Sequence, residues 1–282
     1  MPYVRVDGID LYYEVHGTGP RTVILAHGAL GSIAFVDTYG LKASTLAARG
    51  LRVIAYDARG HGRSGFSTRA RDYDQHMLAG ELLGLLDALD LARVSVCGTS
   101  MGATAALVLA QTHPERVERL VLRSPPPFGD DMIPVRRALH GLALMYRVLG
   151  VTVTAWIVTL RPGDGDRART HALVRRQRRA AIVPALRGFL AEPFDTARLP
   201  AVAAPTLVLT QPGDALHPLR SGEVLHSLMP AAALCVAPST MFWRHRSEEL
   251  ADLISAFIET PDGVAQHSAT TRSCAFTAAR RD

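Results

Sequence analysis

The residues with the clearest capacity for chemistry lie in the stretch VSVCGTSMGATAALVLA, where Ser100 stands between Gly98 and Gly102. A β-branched run precedes the serine and a run typical of a helix follows it, so the pattern predicts a sharp strand-to-helix turn. Glycines on both sides remove the Cβ atoms that would block such a tight turn. In an open α/β sheet this turn lies at the carboxyl ends of the strands, where ligands bind. We therefore expect Ser100 to project into a cleft as a nucleophile.

Short β-branched runs alternate with longer helical patterns along most of the chain. The runs YVRV and DLYYEV predict a hairpin that turns at Asp7 and Gly8. Six further apolar runs predict buried strands, namely TVILAHG, RVIAYDARG, VSVCGTS, VERLVLRS, PTLVLTQ and ALCVAP. Helical patterns lie around residues 38–49, 75–89, 101–112, 219–228 and 248–258. The alternation predicts an α/β fold, with a mostly parallel eight-stranded sheet flanked by helices.

One segment interrupts this alternation. Between VERLVLRS and PTLVLTQ no strand is predicted, and residues 128–199 carry only helical patterns punctuated by prolines and glycines. We interpret this segment as an inserted helical lid, and residues 1–127 together with 200–259 as the core domain. Residues 260–282 lose the apolar periodicity and are expected to form a disordered tail.

The composition argues against several classes of partner. The net charge of +5 comes without a basic stripe interleaved with aromatic residues, so nucleic acid is not an expected partner. The three cysteines lack metal-ligand spacing, and no metal site is expected. The N-terminal stretch carries Arg5 and Asp7 where a signal peptide needs an apolar run, which favours a cytoplasmic protein. No membrane partner is expected, because the apolar run over residues 148–160 is too short to span a bilayer.

Three further motifs give the chain a close resemblance to the α/β-hydrolase superfamily, especially its single-domain esterases, lactonases and perhydrolases. HGALGS, residues 27–32, follows a buried strand and resembles the family's oxyanion loop. DARGHGRSG, residues 57–65, resembles a turn common in these branches. The histidines of these two motifs are expected to hold their turns by hydrogen bonds. PGDALHP, residues 212–218, is similar to the loop that carries the acid of the catalytic triad.

The resemblance implies a role for each matching residue. Ser100 would be the nucleophile and Asp214 the carboxylate that orients a catalytic histidine. The backbone N–H groups of Ala29 and Met101 would bind the developing oxyanion. A serine at the turn fits acyl chemistry, whereas epoxide hydrolases and dehalogenases need a carboxylate there. The expected reaction is cleavage of a small or medium apolar ester, lactone or thioester through an acyl-enzyme, without a metal or cofactor.

The catalytic histidine departs from the family pattern. The family places it in the loop after the last strand, and counting back from the final helix sets that position near Thr240. The only histidine in this loop is His245, which we take as the expected base; the alternative is a surface histidine between two arginines. His217 is a weaker candidate, because it follows Asp214 by only three residues, in a position that the family often fills with a structural histidine.

A second class of function depends on the same loop. Without an imidazole at Ser100 the hydroxyl would not be activated, and ester hydrolysis would fall by several orders of magnitude. The alternative is a hydrolase-fold protein with an incomplete triad that performs a non-hydrolytic biosynthetic step, of lyase, cyclase or epimerase type, or only binds its ligand. Residues 239–246 discriminate the two hypotheses, because they either deliver an imidazole to Ser100 or do not.

The predicted lid gives two hints about what the chain binds. The apolar run at residues 148–160 predicts either a helix packed on the core or a wall of an acyl pocket in which Trp156 lies over Ser100. Downstream, six arginines cluster: Arg169, Arg175, Arg176, Arg178, Arg179 and Arg187. Such a cluster is typical of a solvated helix face. The alternatives are a docking site for an acidic carrier protein and attraction of an anionic substrate.

Overall fold

The computed structural model describes residues 2–36, 41–160 and 167–260 of the chain. The strands are β1 Tyr3–Val6, β2 Ile9–His16, β3 Thr22–Ala26, β4 Arg52–Tyr56, β5 Val94–Thr99, β6 Val117–Arg123, β7 Thr206–Thr210 and β8 Ala232–Val236. They form one eight-stranded sheet in the order β1-β2-β4-β3-β5-β6-β7-β8. β2 is antiparallel to β1 and to β4, and every other neighbouring pair is parallel. The predicted mostly parallel sheet is confirmed.

Ten α-helices lie within the described residues. They are α1 Ile33–Val36, α2 Ala43–Ala47, α3 Gln75–Ala88, α4 Met101–Thr112, α5 Met132–Thr159, α6 Arg167–Arg175, α7 Arg179–Phe189, α8 Leu219–Leu228, α9 Phe242–His245 and α10 Ser247–Glu259. The predicted helices at 75–89, 101–112, 219–228 and 248–258 are confirmed to within one residue at each end. Of the helix predicted at 38–49 the structure shows α2, and residues 37–40 lie outside the described part.

The first hairpin has the geometry that its sequence predicts. Asp7 and Gly8 have φ angles of 47° and 77°, so both central residues of the turn are left-handed, as a two-residue type I′ hairpin requires. Val6 pairs with Ile9 directly across the turn. The hairpin places β1 and β2 at one edge of the sheet, where β4 and β3 separate them from β5.

The core consists of two apolar layers, one on each face of the sheet. Alternate residues of β3 point to opposite layers, with Ile24 packed in the layer of α3 and α4 and Val23 in the layer of α2 and α10. Val96 and Cys97 of β5 divide in the same way. Since both faces are covered by helices, the central strands are apolar throughout, which explains why their sequences lack polar alternation.

We call α5, α6 and α7 together the lid helices. They lie between β6 and β7 in sequence, and no strand interrupts the described residues of the segment 128–199. They share a small apolar core of their own, formed by Ala143, Tyr146, Ala155, Val174, Ile182 and Leu186. That core packs on Ala29 and Leu30, and the side-chain amide of Gln177 donates to the carbonyl oxygen of Leu30 at 2.8 Å. The lid helices therefore lie against the loop that follows β3.

Two further sequence predictions are that residues 148–160 do not span a membrane and that residues 260–282 form a tail. The stretch Gly129–Thr159 has the length and mean hydropathy, 1.6, of a membrane-crossing helix. Gly150, with φ 75° and ψ 172°, interrupts α5, and buried Tyr146 and Ala155 fix the parts on either side of it to the lid core. The tail predicted at 260–282 lies, except for Thr260, outside the described residues.

A buried ion pair joins the turn after β4 to α3. Arg59 and Glu81 are 2% and 0% exposed, and the guanidinium Nε lies 2.7 Å from the carboxylate. Removing Glu81 leaves the buried Arg59 charge with only the exposed carboxylate of Asp7, at 3.8 Å, so Glu81→Ala is expected to lower the free energy of unfolding by about 3–5 kcal/mol. Urea unfolding measures this change. In the matched exposed pair Arg5–Asp10, the variant Asp10→Ala should cost less than about 1 kcal/mol. Equal small losses in both variants would contradict the expectation that the Arg59–Glu81 pair stabilises the fold.

Candidate active site

The chain turns sharply from β5 into α4 at Ser100. The φ and ψ angles of this residue are 52° and −113°, a conformation that an L-residue adopts only under strain. Surrounding bonds hold it there, because the N–H of Ser100 donates to the carbonyl oxygen of Arg123 at 3.0 Å. The carbonyl oxygen of Ser100 in turn accepts from Ala103 and Thr104 in the first turn of α4. The predicted strand-to-helix turn with the serine at its apex is confirmed.

The two glycines of the motif are explained by close backbone packing. A Cβ atom on Gly98 would lie 2.4 Å from the carbonyl oxygen of Gly102. A Cβ atom on Gly102 would lie 2.2 Å from the carbonyl oxygen of Ala26, in the neighbouring strand β3. Both distances are far below van der Waals contact, and both obstacles are backbone atoms. Only glycine therefore lets α4 start so close to the sheet.

A row of hydrogen bonds connects Ser100 to a carboxylate through His217. The Nε2 atom of His217 lies 2.9 Å from the Oγ of Ser100. The Nδ1 atom of the same ring lies 3.0 Å from Oδ2 of Asp214. With the proton on Nδ1, the ring donates to the carboxylate and Nε2 is free to accept the serine proton, which is the tautomer of a catalytic triad.

The loop after β7 fixes the Asp214 carboxylate by several bonds. Its Oδ1 accepts the backbone N–H groups of Leu216 and His217, at 3.0 and 3.1 Å. Its Oδ2 also accepts the side-chain amide of Gln211 at 3.2 Å. Burial raises the pKa of Asp214, but the hydrogen bond and charge of His217 and the two backbone N–H groups outweigh it, so its pKa is lower than usual. The carboxylate is therefore held ionised.

The structure contradicts the assignment of His245 as the base. His245 ends the short helix α9 and its side chain is exposed, whereas other residues of the same loop, Thr240, Met241, Trp243 and Arg244, line the cavity over Ser100. The physical reason is the turn of α9, which carries the chain along the cavity wall before the histidine is reached. The imidazole at the nucleophile comes instead from His217.

A signal for His217 was present in the sequence. Gly213 has φ 81°, and Pro218 ends the loop at the start of α8, so residues 213–218 form a tight turn rather than an extended loop. An aspartate at the start of such a turn accepts the N–H groups two and three residues later. That local bond places a histidine at the third position beside the carboxylate. The spacing Asp-x-x-His before a proline and a helix is thus a signal for the contact with Asp214, although not for the contact with Ser100, and the sequence-based prediction of the base did not use it.

The loop after β3 lies on the other side of Ser100. His27 accepts the N–H of Ala58 at 2.9 Å through Nε2, and its Nδ1 bonds the carbonyl oxygen of Gly28 at 2.8 Å. Asp57 accepts the N–H of Ile33 through one carboxylate oxygen at 2.6 Å. His61 bonds the carbonyl oxygen of Arg59, and its ring centroid lies 5.0 Å from that of His27. The expected turn-holding hydrogen bonds of both histidines are confirmed.

The two predicted oxyanion donors occupy suitable positions in these elements. Ala29 lines the cavity beside Ser100. Met101 is the first residue of α4, where backbone N–H groups have no acceptor within the helix. The helix dipole adds partial positive charge at the same point. That the N–H groups of Ala29 and Met101 together bind an oxyanion remains a prediction.

Burial of the two turn histidines predicts a pH dependence of stability. Desolvation lowers the pKa of His27 to about 4, and desolvation together with the charge of His27 lowers the pKa of His61 to about 3. Below about pH 6.5 the unfolded chain takes up these protons and the fold does not. Stability is therefore full above that pH and falls toward pH 4, by up to about 1.4 kcal/mol per pH unit for each histidine.

Urea unfolding at several pH values measures this slope. In His61→Gln the slope should become shallower, whereas in His76→Gln, which replaces an exposed histidine, it should stay as in the wild type. An identical slope in all three proteins would contradict the expectation.

A cavity of about 490 Å³ opens over Ser100, within the size range of small-molecule sites. Its walls combine the loop after β3, the loops after β6, β7 and β8, and the lid helices. The apolar lining includes Val135, Leu139, Leu142, Val158, Leu173, Val174, Phe189 and Leu216. Trp156 is not part of this lining and is 62% exposed, so the expectation that it lies over Ser100 is wrong. The helix turns Val158 to the cavity and Trp156 to solvent.

Among the described residues, no group of three or more histidine, cysteine, aspartate or glutamate side chains could hold a metal ion. Beside the hydrogen-bonded row, the cavity over Ser100 is lined by further polar side chains, among them Arg123, Ser124, Gln211 and Arg244. The arrangement can therefore perform proton transfer to and from a serine hydroxyl, next to an apolar space for a substrate.

Comparison with known proteins gives concordant results. A family model described as alpha/beta hydrolase fold matches residues 21–153. A relative from Caulobacter sp. (strain K31) named "Putative carbamate hydrolase RutD" is 32% identical over 256 residues, which cover 83% of this chain and 88% of the relative. A 2-hydroxy-6-oxononadienedioate/2-hydroxy-6-oxononatrienedioate hydrolase from Paraburkholderia xenovorans (strain LB400) is 36% identical over 124 residues, 43% of each protein.

Solved structures agree at the level of the fold. The crystal structure of the enol-lactonase from Burkholderia xenovorans LB400 superposes with a TM-score of 0.77 at 22% identity, covering 92% of this chain and 100% of that one. At this identity the likeness concerns the fold alone.

Proposed function

This chain belongs to the α/β-hydrolase superfamily and is a hydrolase, and we propose that it cleaves a small or medium apolar ester, lactone or thioester through an acyl-enzyme on Ser100. The observation that carries the proposal is the hydrogen-bonded row from Ser100 through His217 to Asp214, at the floor of an apolar cavity. Each neighbour in the row lies within hydrogen-bonding distance of the next, so the geometry that proton transfer needs exists before substrate binds.

In the first half of the reaction the Oγ of Ser100 attacks the substrate carbonyl carbon while its proton passes to Nε2 of His217. The carbonyl oxygen becomes an oxyanion, which the N–H groups of Ala29 and Met101 stabilise. Asp214 stabilises the imidazolium without taking its proton. The tetrahedral intermediate then collapses, the bond to the alkoxide or thiolate breaks, and His217 returns its proton to the leaving group.

The second half repeats these steps with water as the nucleophile. His217 takes a proton from water, whose oxygen attacks the acyl carbon and forms a second oxyanion in the same place. Collapse releases the carboxylic acid and returns the proton to the Oγ of Ser100. All of these steps use groups of the chain, so a chelator such as EDTA should leave the rate unchanged.

The apolar walls and the size of the cavity support the proposed substrate class. A space of about 490 Å³ suits an acyl group of short to medium length, and the apolar side chains that form most of the lining favour an apolar acyl group, although Arg123 and Arg244 also reach the cavity. The activity in the name of the Caulobacter relative, putative carbamate hydrolysis, is also a hydrolysis at an acyl carbon.

The alternative function, a non-hydrolytic step on an incomplete triad, is not supported by the observed position of His217. That alternative depended on the absence of an imidazole at Ser100, and His217 supplies one at 2.9 Å. The expected cytoplasmic location remains a prediction.

A panel of p-nitrophenyl esters of increasing acyl length, with lactones and thioesters of matching size, tests the proposal. We expect turnover of short and medium apolar acyl groups, decreasing as the acyl chain outgrows the cavity. Intact mass after rapid quenching should show the protein carrying one acyl group. Ser100→Ala should remove both turnover and the mass increase. Turnover that persists in Ser100→Ala, or a folded wild type inert to every acyl substrate, would contradict the proposal.

A further inference from the structure

The lid helices carry large apolar side chains that face solvent. We call these seven residues the apolar patch: Leu144 at 51% exposed, Val148 at 66%, Leu149 at 42%, Val153 at 47%, Trp156 at 62%, Ile157 at 38% and Leu160 at 74%. They lie on both sides of the interruption at Gly150 in α5. Scattered exposed apolar residues are normal on a protein surface, but seven within a stretch of 17 residues mark an interaction site.

Neither sequence-based interpretation of this stretch accounts for the patch. Packing on the core uses the other side of α5, where Tyr146 and Ala155 are fully buried. The cavity over Ser100 takes Leu142 and Val158 from the same helix. The buried side of α5 and its part of the cavity wall are thus formed without the seven patch residues.

Exposed arginines lie on the same helices as the apolar patch. Exposed arginines of the lid helices and their connection, here called the arginine rim, are Arg137, Arg147, Arg175, Arg176, Arg178, Arg179 and Arg187. The sequences of α5, α6 and α7 contain no aspartate or glutamate at all. These three helices therefore carry positive charge only, and the two aspartates of the segment between α5 and α6, Asp164 and Asp166, lie outside the described residues.

Part of the arginine rim adjoins the apolar patch. Arg147 lies on α5 between the patch residues Leu144 and Val148, and the guanidinium of Arg179 donates to the carbonyl oxygen of Arg147. Leu144, Arg147 and Arg187 line one groove between α5 and α7. On the other side, the Trp156 ring packs edge-on against His171 of α6, with ring centroids 5.0 Å apart.

We propose that this surface binds an anionic lipid membrane, with the apolar patch at the acyl-chain boundary and the arginine rim at the phosphate groups. A lipid surface satisfies both features together, because apolar side chains enter it while long arginine side chains reach back to the headgroups. Tryptophan is enriched at this depth of a bilayer. The charge complementarity is with anionic headgroups, each basic residue adding to the attraction.

Charge disfavours a second copy of the chain as the occupant. In a symmetric dimer through the patch, each arginine rim would face the other, and no acidic residue of the lid helices would compensate. The acidic carrier protein considered from the sequence would match the rim. A soluble acidic protein that also covers the apolar patch is an outcome of the test below.

The interaction is peripheral and does not depend on the proposed reaction. Buried Tyr146 and Ala155 fix α5 to the rest of the lid, so the helix lies on the membrane while packed against the protein. Val158 and Leu142 carry the same helix into the cavity wall, so a membrane-bound protein would hold its apolar cavity next to the lipid phase.

Vesicle flotation with the full chain tests the proposal. Wild type should float with vesicles of equal parts phosphatidylcholine and phosphatidylglycerol, should not float with phosphatidylcholine alone, and should be released at high salt. The double variant Arg175→Gln/Arg176→Gln should lower the partition coefficient roughly 30-fold.

A pair of matched variants separates insertion of the patch from simple charge attraction. Val153 and Val15 are the same residue type and equally exposed, at 47%, but Val15 lies on β2. Val153→Asp should lower the partition coefficient roughly tenfold or more, whereas Val15→Asp should leave it unchanged. Fluorescence gives a direct readout, because of the two tryptophans Trp243 is buried and Trp156 is exposed. Brominated lipids should quench the emission of Trp156.

Three outcomes would overturn the proposal. Failure of the wild type to float with anionic vesicles removes it directly. Flotation that is insensitive to Val153→Asp, with Trp156 unquenched, would mean charge adsorption without insertion. Concentration-dependent dimers that Val153→Asp abolishes, or binding of a purified acidic carrier protein in place of vesicles, would assign the surface to a protein partner. Because Val153 lies outside the cavity lining, the Val153→Asp variant should hydrolyse soluble esters at the wild-type rate. Loss of vesicle binding and loss of ester hydrolysis are therefore independent results, and each bears on one proposal only.

Discussion

Replacing His217 by alanine is expected to lower kcat by a factor on the order of 10⁶, because the imidazole both activates Ser100 and protonates the leaving group. The residual rate would come from the oxyanion donors and from binding alone. KM should change little, since the ring contributes to the transition state rather than to the apolar cavity. Steady-state kinetics on the best ester of the panel measures the loss, with circular dichroism and thermal unfolding to show that the variant is folded.

His245→Ala is the matched control for this prediction. The residue is exposed and lies outside the cavity lining, so kcat should stay within about twofold of wild type, as for other surface substitutions. A large loss in His245→Ala together with a small loss in His217→Ala would reverse the assignment. Such a result would mean that the loop after β8 rearranges to bring His245 to Ser100.

Replacing Asp214 by asparagine is expected to lower kcat about 10⁴-fold. The asparagine oxygen can still accept the backbone N–H groups of Leu216 and His217, so the loop keeps its shape. The amide N–H₂ group, however, faces Nδ1 as a donor, and the ring then holds its proton on Nε2, where it cannot accept the proton of Ser100. Kinetics with the same ester should show the loss in kcat with little change in KM.

Asp252→Asn provides the control for this substitution. Asp252 is also ion-paired, to Arg49, but it is 66% exposed on α10 and distant in sequence from the hydrogen-bonded row. Its replacement should leave kcat unchanged. If Asp214→Asn retained more than about a tenth of the wild-type kcat, Asp214 would be a structural residue of the loop and another group would stabilise the imidazolium.

The serine turn could be predicted from sequence because its determinants are local. Gly98 and Gly102 are required by contacts that any strand-to-helix turn of this tightness would make, with the backbone of β3 and of the turn itself. The buried strands could be predicted for a similar reason, since their apolar runs reflect burial on both faces. The mostly parallel direction of the strands followed from the alternation with helices.

The histidine could not be predicted, because its position depends on the path of two loops rather than on one pattern. Counting back from α10 set the expected position near Thr240, which is one of four residues of this loop that line the cavity, and none of the four is a histidine. The Asp214 carboxylate was identified, but His217 was only a weaker candidate for the base, because the family often has a structural histidine at its position. Whether that ring also reaches Ser100 depends on the distance between the loop after β7 and the turn after β5, which no local pattern encodes.

The exposed face of α5 escaped prediction for a different reason. The run over residues 148–160 is apolar on nearly all sides, so periodicity does not reveal which side is buried. The partition between the lid core, the cavity and solvent depends on α6 and α7, and these helices supply too few apolar side chains to cover the seven residues of the apolar patch.

The central claim, that His217 activates Ser100 through this hydrogen-bonded row, is tested most directly by the rate at which a fluorophosphonate labels Ser100. The probe needs the activated hydroxyl and does not require knowledge of the substrate. Intact mass spectrometry follows a single adduct in wild type, His217→Ala and His245→Ala, with Ser100→Ala as the blank. We expect rapid labelling in wild type and His245→Ala and near-complete loss in His217→Ala. Rapid labelling that survives in His217→Ala, or a wild type that is inert to the probe, would contradict it.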